Sequence, residues 1–323
     1  MPASWNILPE KFLEKLDDFL PENQIDAVRN SFCTQKPATF RANTLKISAK
    51  TLEEELGKLG IETRRVPWYA DAFVLQNCAQ KTLTETSWYK EGYLYVQSLS
   101  SMIPPLVLDP KPNDLVLDET AAPGSKTTQI AALMQNKGII IANDKSRIRT
   151  FRLRANIQLQ GATSVQVLSL PGEFLWKKYP EYFDKVLVDV PCSMEGRFYT
   201  ENKKTFQEWT PGKVKQLGEM QKWLLRSAIS ATRPGGTIVY STCTLSPEEN
   251  EEVVNWILKK EGDALDVEDI QIPHLTSSPG ITKYKNRIFD YRLSKTMRIY
   301  PSPTMEGFFV SKLRKKKSTV NTR

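Results

Sequence analysis

Two of the four cysteines occupy matching positions, each just after a run of apolar residues. Cys192 follows VLVDVP and Cys243 follows TIVYST. If these runs form neighbouring parallel strands, about 4.8 Å apart, both thiols project from the same edge of one sheet, together with Asp189. The pattern therefore predicts a site with two thiols and a carboxyl group, whereas we expect Cys33 and Cys78 to be ordinary packing residues.

A second candidate site follows the apolar run DLVLDE. The next segment, AAPGSKTT, lacks the glycines of a phosphate-binding loop, because Thr120 and Ser125 stand where that motif needs them, and Gly124 is too isolated for a dinucleotide-binding turn. What remains is a turn of small residues at a helix N-terminus, where backbone N–H groups can bind a polar ligand. Asp144 ends the next apolar run, where a nucleoside would present its ribose hydroxyls. Together the two features predict an adenosyl ligand.

Thiols, an acid and an adenosyl ligand suit methylation at carbon C5 of a pyrimidine. C5 is a poor nucleophile, but attack of a thiolate on C6 turns it into an enamine carbon that can take a methyl group from a sulfonium. A protonated Asp189 would donate to ring N3 during the attack, and the second thiol would assist the later elimination. The site should also lower the pKa of the attacking thiol, because a free thiol is mostly protonated at neutral pH.

Strands and helices alternate through most of the chain, which predicts an α/β fold with a doubly wound parallel sheet. The segment TMRIYPSPTMEGFFVSKLR predicts two strands around a turn and thus an antiparallel edge. SPEENEEVVNWILKKEG predicts a helix capped by Ser246, with Glu249 closing the capping box. We expect a helical segment and a small α+β domain over residues 1–105, the sheet domain over 106–315, and a basic tail over 316–323.

Charge and composition narrow the class of protein. Lys and Arg number 45 against 37 Asp and Glu, a net charge of +8, which favours a polyanionic partner. Five of these cations fall in KSRIRTFRLR (residues 145–154). No apolar run approaches the roughly 20 residues that span a bilayer, and the N-terminus is not typical of a secretory signal. We therefore expect a cytoplasmic monomer that binds no membrane and, with one histidine and no C-x-x-C pair, no metal.

Several motifs resemble, in order and spacing, the Sun family of RNA 5-methylcytosine methyltransferases. They are LDETAAPGSKTTQIA, ANDKSRIRTFRLRANIQLQGA, FDKVLVDVPCSMEG, RPGGTIVYSTCTLSPEENEEVV and GFFVSKL. The resemblance implies a class I, Rossmann-like methyltransferase fold that uses S-adenosylmethionine, preceded by an RNA-recognition-like domain. It further implies that Cys243 is the nucleophile, that Cys192 assists release of the methylated RNA, and that Lys126 orients Asp189 or the base. The cofactor-binding residues that it implies are Ala121, Ala122, Pro123, Gly124, Ser125, Lys126, Thr127, Asp144 and Asp189.

The sequence departs from the family pattern in places, and it leaves the substrate open. Pro171 stands where the family often has an acidic residue that contacts adenine, so Ser169 or a backbone group would have to replace that contact. Met194 stands where glycine is common. We expect ribosomal RNA as the substrate, selected by the N-terminal domain and the basic surface, with tRNA as the alternative. A DNA methyltransferase, which would attack with Cys192, and a non-catalytic RNA-binding assembly factor are the rival interpretations.

Overall fold

The computed structural model describes residues 4–320. The strands are β1 (Thr39–Ala42), β2 (Thr63–Val66), β3 (Tyr69–Leu75), β4 (Leu94–Val96), β5 (Leu115–Asp118), β6 (Ile139–Asn143), β7 (Val165–Leu168), β8 (Phe183–Asp189), β9 (Thr232–Thr242), β10 (Leu265–Glu268), β11 (Ser278–Pro279), β12 (Lys283–Tyr284), β13 (Arg287–Ile288), β14 (Met297–Ile299) and β15 (Phe308–Lys315). The α-helices are α1 (Glu10–Phe19), α2 (Glu22–Ser31), α3 (Ala49–Lys58), α4 (Gln80–Glu85), α5 (Ser87–Lys90), α6 (Ile103–Leu108), α7 (Ser125–Leu133), α8 (Arg147–Gln160), α9 (Leu175–Lys178), α10 (Pro211–Ala231) and α11 (Glu251–Glu261).

The small sheet near the N-terminus has the strand order β2-β3-β1-β4 and is antiparallel throughout. Helix α3 covers one of its faces, and Leu52 and Leu56 from that helix pack with Phe40 and Phe73 of the strands. The rings of Phe40 and Phe73 stack 5.1 Å apart. This is a small α+β domain with a core of its own.

The large sheet has the order β11-β14-β15-β9-β8-β5-β6-β7, and β10 pairs with the free part of β15. Strands β5 to β9 are parallel to one another, whereas β15 runs antiparallel to β9 and β14 antiparallel to β15. The chain therefore has the class I methyltransferase sheet, Rossmann-like and with an antiparallel edge, that the sequence predicts.

Helices cover both faces of the large sheet, as the continuous apolar runs of its inner strands require. Alternate residues of β8 enter different cores: Val186 and Val188 pack beneath α10 and α11, and Leu187 packs on the side of α6 and α7. All three side chains are fully buried. The same alternation in β9 fixes which edge residues point into the site. Within residues 4–320, none of the helices is both long and apolar enough to cross a membrane.

The first two helices pack against the large domain and not against the small sheet. Phe12 of α1 lies in one cluster with Phe198, Trp209 and Leu245, and its ring is 4.8 Å from that of Phe198. Phe198 and Leu245 belong to the loops that follow β8 and β9. Helix α1 therefore supports the two loops that carry the candidate thiols.

One predicted helix start is wrong. Helix α11 begins at Glu251, with Asn250 as its N-cap residue, and Pro247–Asn250 forms a turn before it. Ser246 consequently does not cap the helix, and the Glu249 side chain does not close a capping box. Both side chains bond to other segments instead, because the turn directs them toward the loop after β8.

Candidate active site

A cavity of about 1030 Å³ lies between the small domain and the carboxyl edge of the large sheet. The predicted site residues that line it are Ala121, Ala122, Pro123, Ser125, Lys126, Asp189, Cys192 and Cys243. Gly124, Thr127 and Asp144 do not line it and lie behind its wall. The small domain contributes the segments 35–39, 75–80 and 95–99. The elements thus bring the predicted thiols and acid together at a cleft between two domains.

The two thiols are in contact. Strands β8 and β9 are parallel neighbours, with Asp189 paired to Ser241, and the loops that follow them place Cys192 Sγ 3.2 Å from Cys243 Sγ. A hydrogen bond from Cys192, with help from the positive charge of Arg197, lowers the pKa of Cys243. The same hydrogen bond, together with burial, raises the pKa of Cys192 well above its ordinary value. Cys243 is therefore the more acidic thiol of the pair and Cys192 the less acidic one.

Arg197 is the cation that faces Cys243, and it is not among the site residues that the sequence predicts. Its Nε donates to Glu306 Oε2 at 2.9 Å, and both residues line the cavity. The negative charge of Cys243 raises the pKa of the guanidinium. Arg197 directly follows the quoted motif FDKVLVDVPCSMEG, and no pattern in the sequence indicates that it lies opposite Cys243.

Asp189 makes an ion pair with Lys126, whose Nζ lies 2.6 Å from Asp189 Oδ2. The hydroxyl of Ser241 donates to the other carboxylate oxygen at 2.7 Å. Lys126 is only 7% exposed, and it also donates to Ser101 Oγ at 2.8 Å. Lys126 thus contacts Asp189 in the way that one of its two implied roles, orienting that carboxyl group, requires.

The turn after β5 has the shape that the sequence predicts for a ligand cradle. Gly124, just before α7, has φ of +108°, a backbone conformation that glycine adopts readily. A Cβ atom there would lie 2.9 Å from Leu153 Cδ1 of α8. Thr127 donates to Asp118 Oδ2 at 2.6 Å, and burial raises the pKa of Asp118 to about 7. The first turn of α7 therefore points toward the cavity while Thr127 fixes the strand end behind it.

Among the buried oxygen atoms of residues 4–320 that have no hydrogen-bond partner, two follow the ends of β6 and β7. They are Asp144 Oδ2 and Ser169 Oγ. The Asp144 side chain is 2% exposed, with Arg149 Nη1 3.2 Å from that oxygen as an ion-pair partner. Buried polar atoms without a hydrogen-bond partner are uncommon and indicate a missing ligand. The ends of β6 and β7 therefore fit the ribose hydroxyls and the base of an adenosyl group.

Two glutamates connect the loops that carry the thiols. Glu195 follows β8 and bonds to the loop after β9, and Glu249 follows β9 and bonds to the loop after β8. Glu195, two residues before Arg197, accepts hydrogen bonds from the Thr244 hydroxyl at 2.9 Å and the Leu245 N–H at 3.2 Å. Glu249 accepts from the Ser193 N–H at 3.0 Å. Burial, and then the neighbouring Glu195, raises the pKa of Glu249 to about 8. The relative position of the thiols thus depends on this reciprocal pair of carboxyl groups.

Helix α1 contributes a cation to the same network. Lys15 Nζ donates to Ser246 Oγ at 2.8 Å and lies 3.7 Å from Glu195 Oε1. Trp209 Nε1 donates to that oxygen at 2.8 Å. All of these groups are buried, so the Glu195 carboxylate is compensated by the N-terminal helix and not by solvent.

The comparisons with known proteins agree with this arrangement. Residues 105–314 match a family described as 16S rRNA methyltransferase RsmB/F, and residues 8–99 match the N-terminal domain of 16S rRNA methyltransferase RsmF. The chain is 39% identical over 278 residues to tRNA (cytosine(49)-C(5))-methyltransferase of Pyrococcus abyssi, an alignment that covers 86% of this chain and 88% of the relative. It is 36% identical over 316 residues to ribosomal RNA small subunit methyltransferase F of Vibrio campbellii, covering 95% of this chain but 63% of that relative.

Solved structures are similar over nearly the whole chain. A methyltransferase homologue from Pyrococcus horikoshii superposes with a TM-score of 0.79 at 32% identity, covering 95% of this chain and 100% of the other. NSun6 from the same organism, solved with SFG, gives a TM-score of 0.80 at 26% identity and covers 98% and 99% of the two chains.

Proposed function

The chain belongs to the RsmB/F family of 16S rRNA methyltransferases, and from this premise we propose that it methylates carbon C5 of a cytosine in structured RNA with S-adenosylmethionine as methyl donor. Ribosomal RNA of the small subunit is the first candidate substrate, because both matched families are named for it. The observation that carries the proposal is the contact between Cys192 and Cys243 at 3.2 Å beside the ion pair of Lys126 and Asp189.

The cofactor would lie along the carboxyl ends of β5, β6 and β7. S-adenosylmethionine supplies an electrophilic methyl group on its sulfonium. The N–H groups at the start of α7 would bind its carboxylate, Asp144 would accept from the ribose hydroxyls, and Ser169 would contact the adenine in place of the acidic residue that Pro171 replaces. A relative solved with SFG, an analogue of S-adenosylmethionine, supports this choice of cofactor.

The attack begins at Cys243, whose thiolate adds to C6 of the cytosine. The electron pair of the C5–C6 double bond moves toward ring N3, which takes a proton from Asp189 Oδ2 while Lys126 passes one of its own protons to that oxygen. C5 is now an enamine carbon and forms a bond to the methyl group, while the bond from that methyl to the donor sulfur breaks. The hydrogen bond from Cys192 and the charge of Arg197 lower the pKa of Cys243 and so favour the thiolate before the attack.

Release reverses the addition. The proton on C5 leaves to water in the open cavity, the C5–C6 double bond forms again, and the C6–S bond breaks with its electron pair returning to Cys243. Ring N3 then returns its proton through Asp189 to Lys126. Cys192 has a raised pKa and stays protonated, so it donates a hydrogen bond to the departing sulfur. Without that donor the leaving thiolate is less stable and the covalent intermediate persists. Every side chain that these steps need comes from one chain, which agrees with a monomeric enzyme in the cytoplasm, where it meets RNA.

The test is transfer of labelled methyl from S-adenosylmethionine to transcribed 16S rRNA and tRNA by the wild-type protein, Cys243→Ala and Cys192→Ala. We expect label at cytosine C5 with wild type and a loss of roughly 10⁴-fold or more with Cys243→Ala. Cys192→Ala should attach the label but leave a protein–RNA adduct that resists denaturing electrophoresis. A Cys33→Ala variant is the control, because Cys33 lies outside the pair of thiols.

The reverse pattern of adducts would favour attack by Cys192, as in a DNA methyltransferase. Absence of label on every RNA, with no binding of S-adenosylmethionine, would overturn the proposal in favour of a non-catalytic assembly factor. Label on tRNA alone would establish the second candidate substrate. That candidate is favoured by the 39% identity to the archaeal tRNA methyltransferase.

A further inference from the structure

The chain has two dense basic segments, and the structure treats them differently. The first is residues 145–154 at the start of α8, and the second is residues 312–317 at the end of β15. In the second segment every cation has a carboxylate within 3.2 Å. The pairs are Lys312 and Arg314 with Glu268, Lys315 with Glu181, Lys316 with Asp266, and Lys317 with Asp263. The segment at the C-terminus is therefore largely neutralised by the protein itself.

The first segment carries five cations and no acid between residues 145 and 154. Arg149 pairs with Asp144, and Arg154 donates to the Val167 carbonyl at 3.3 Å. For Lys145, Arg147 and Arg152 no carboxylate of residues 4–320 comes within ion-pair distance. All three are exposed. Their charge is thus available to a partner.

Two large apolar side chains stand among these free cations. Ile148 is 80% exposed and Phe151 is 73% exposed. Both project from the helix that carries the cations, on the side away from the buried Leu153. An aromatic ring beside unpaired cations is typical of surfaces that bind nucleic acid, because bases stack on the ring while the cations contact phosphates. We call the group Lys145, Arg147, Ile148, Phe151 and Arg152 the α8 face.

The α8 face continues into the active-site cavity. Arg149, which is three residues before Arg152 and therefore its neighbour on the helix surface, lines that cavity. Further along the helix, Asn156 Nδ2 donates to Tyr95 Oη of the small domain at 3.2 Å. A strand of RNA on the α8 face would therefore lead directly to the cleft between the domains.

We propose that the α8 face is the docking surface for the phosphodiester backbone of the RNA substrate, and that Phe151 stacks on an unpaired base outside the cavity. The proposal rests on the proposed function for the identity of the RNA. Charge decides the type of partner: three free cations with no acid in their segment complement phosphates, and the exposed ring complements a base.

The experiment compares two triple variants that remove the same charge. The first is Lys145→Gln with Arg147→Gln and Arg152→Gln, and the control is Lys312→Gln with Lys316→Gln and Lys317→Gln. Fluorescence anisotropy measures the affinity for transcribed 16S rRNA fragments and tRNA over a range of salt concentrations. We expect the α8 triple to bind at least roughly tenfold more weakly at about 0.1 M salt and to lose about two to three units of the salt slope. The control should match wild type.

Phe151→Ala should weaken binding without changing the salt slope, because stacking releases no counterions. Thermal unfolding of each variant checks that the exposed substitutions leave the fold intact. The proposal would be overturned if the α8 triple bound RNA as tightly as wild type, or if both triples weakened binding equally. In the first case the α8 face would be left for a protein partner. Binding needs no methyl transfer, so an inactive wild type that binds RNA through α8 would refute the proposed function and not this surface.

Discussion

The loops after β8 and β9 occupy equivalent places at the edge of the sheet, yet the pKa values of their thiols are shifted in opposite directions. Each follows one of two adjacent parallel strands and carries one thiol, and each contributes one buried carboxyl group to the other loop. The pKa is raised for Cys192 and lowered for Cys243. The difference arises first because Cys192 donates the hydrogen bond that Cys243 accepts, and second because the cation of Arg197 faces Cys243. Equivalent positions in a fold therefore acquire different roles through the hydrogen bonds and charges placed beside them.

The carboxyl groups of the two loops repeat this contrast. Glu195 accepts from Trp209 and Thr244, and Lys15 lies beside it. Within residues 4–320, no cation forms an ion pair with Glu249, which accepts hydrogen bonds from Ser193 and Gln221. Burial therefore raises the pKa of Glu249 to about 8. Substituting Glu195 and Glu249 one at a time separates the contribution of the carboxyl group that lies beside a cation from that of the other carboxyl group.

The largest effect is expected for Glu195→Gln. The amide turns one acceptor oxygen into a donor that faces other donors, and it leaves the buried ammonium of Lys15 with Glu248, at 3.5 Å, as its remaining carboxylate partner. We expect a loss of roughly 2–4 kcal/mol in the free energy of unfolding, measured by denaturant titration. Glu208→Gln, at an exposed position before α10, is the control. A loss no larger than that of the control would show that Glu195 is not the anchor of the two loops.

Glu249→Gln should cost little at neutral pH but change the pH dependence of stability. The pKa of Glu249 is about 8 in the folded protein, against an ordinary 4.5. Between those values the folded chain retains a proton that the unfolded chain releases, so stability falls as pH rises from about 4.5 to about 8. Unfolding titrations across that window should give a shallower fall for the variant. A fall equal to that of wild type would contradict the raised pKa.

Arg197→Met should reduce the difference in pKa between Cys192 and Cys243. Removing the guanidinium raises the pKa of Cys243, so the acid limb of the kcat/KM profile moves to higher pH by up to about one unit, which is roughly tenfold in rate below that limb. The pH dependence of alkylation by iodoacetamide reports the same thiolate without the reaction. Arg197→Lys should restore most of the shift, because it keeps the charge. An unmoved profile would mean that Cys192 alone lowers the pKa.

The smallest effect is expected at Met194, which lies between Cys192 and Arg197. Its φ is +58°, a left-handed conformation that costs a side-chain-bearing residue about 1–2 kcal/mol. Met194→Gly relieves that strain but adds flexibility to the unfolded chain, which costs about 0.4–1 kcal/mol. We expect a net gain below about 1 kcal/mol in thermal or denaturant unfolding. A destabilised glycine variant would indicate that the Met194 side chain has a packing role in the loop.

The sequence predicted the sheet and the meeting of the thiols, because continuous apolar runs define buried strands and parallel strands place their ends at one edge. The family resemblance offered Asp189 or the base as the partner of Lys126, and the structure shows the contact with Asp189. The sequence prediction failed at Glu249, where a local capping pattern competed with a bond to Ser193, 56 residues away. The position of Arg197 opposite Cys243 depends equally on how two loops meet, and no short-range pattern encodes that.

The contact between Lys15 and Ser246 joins residues that are 231 positions apart in the chain. Helix α1 leaves the ribosome early, but the surface on which it packs exists only after β8, β9 and their loops have formed. Its apolar face, with Phe12 and Leu16, therefore stays exposed in the partly folded chain until that surface has formed. Contacts of such long range form slowly. The order of synthesis makes the docking of α1 one of the late events in forming the active site.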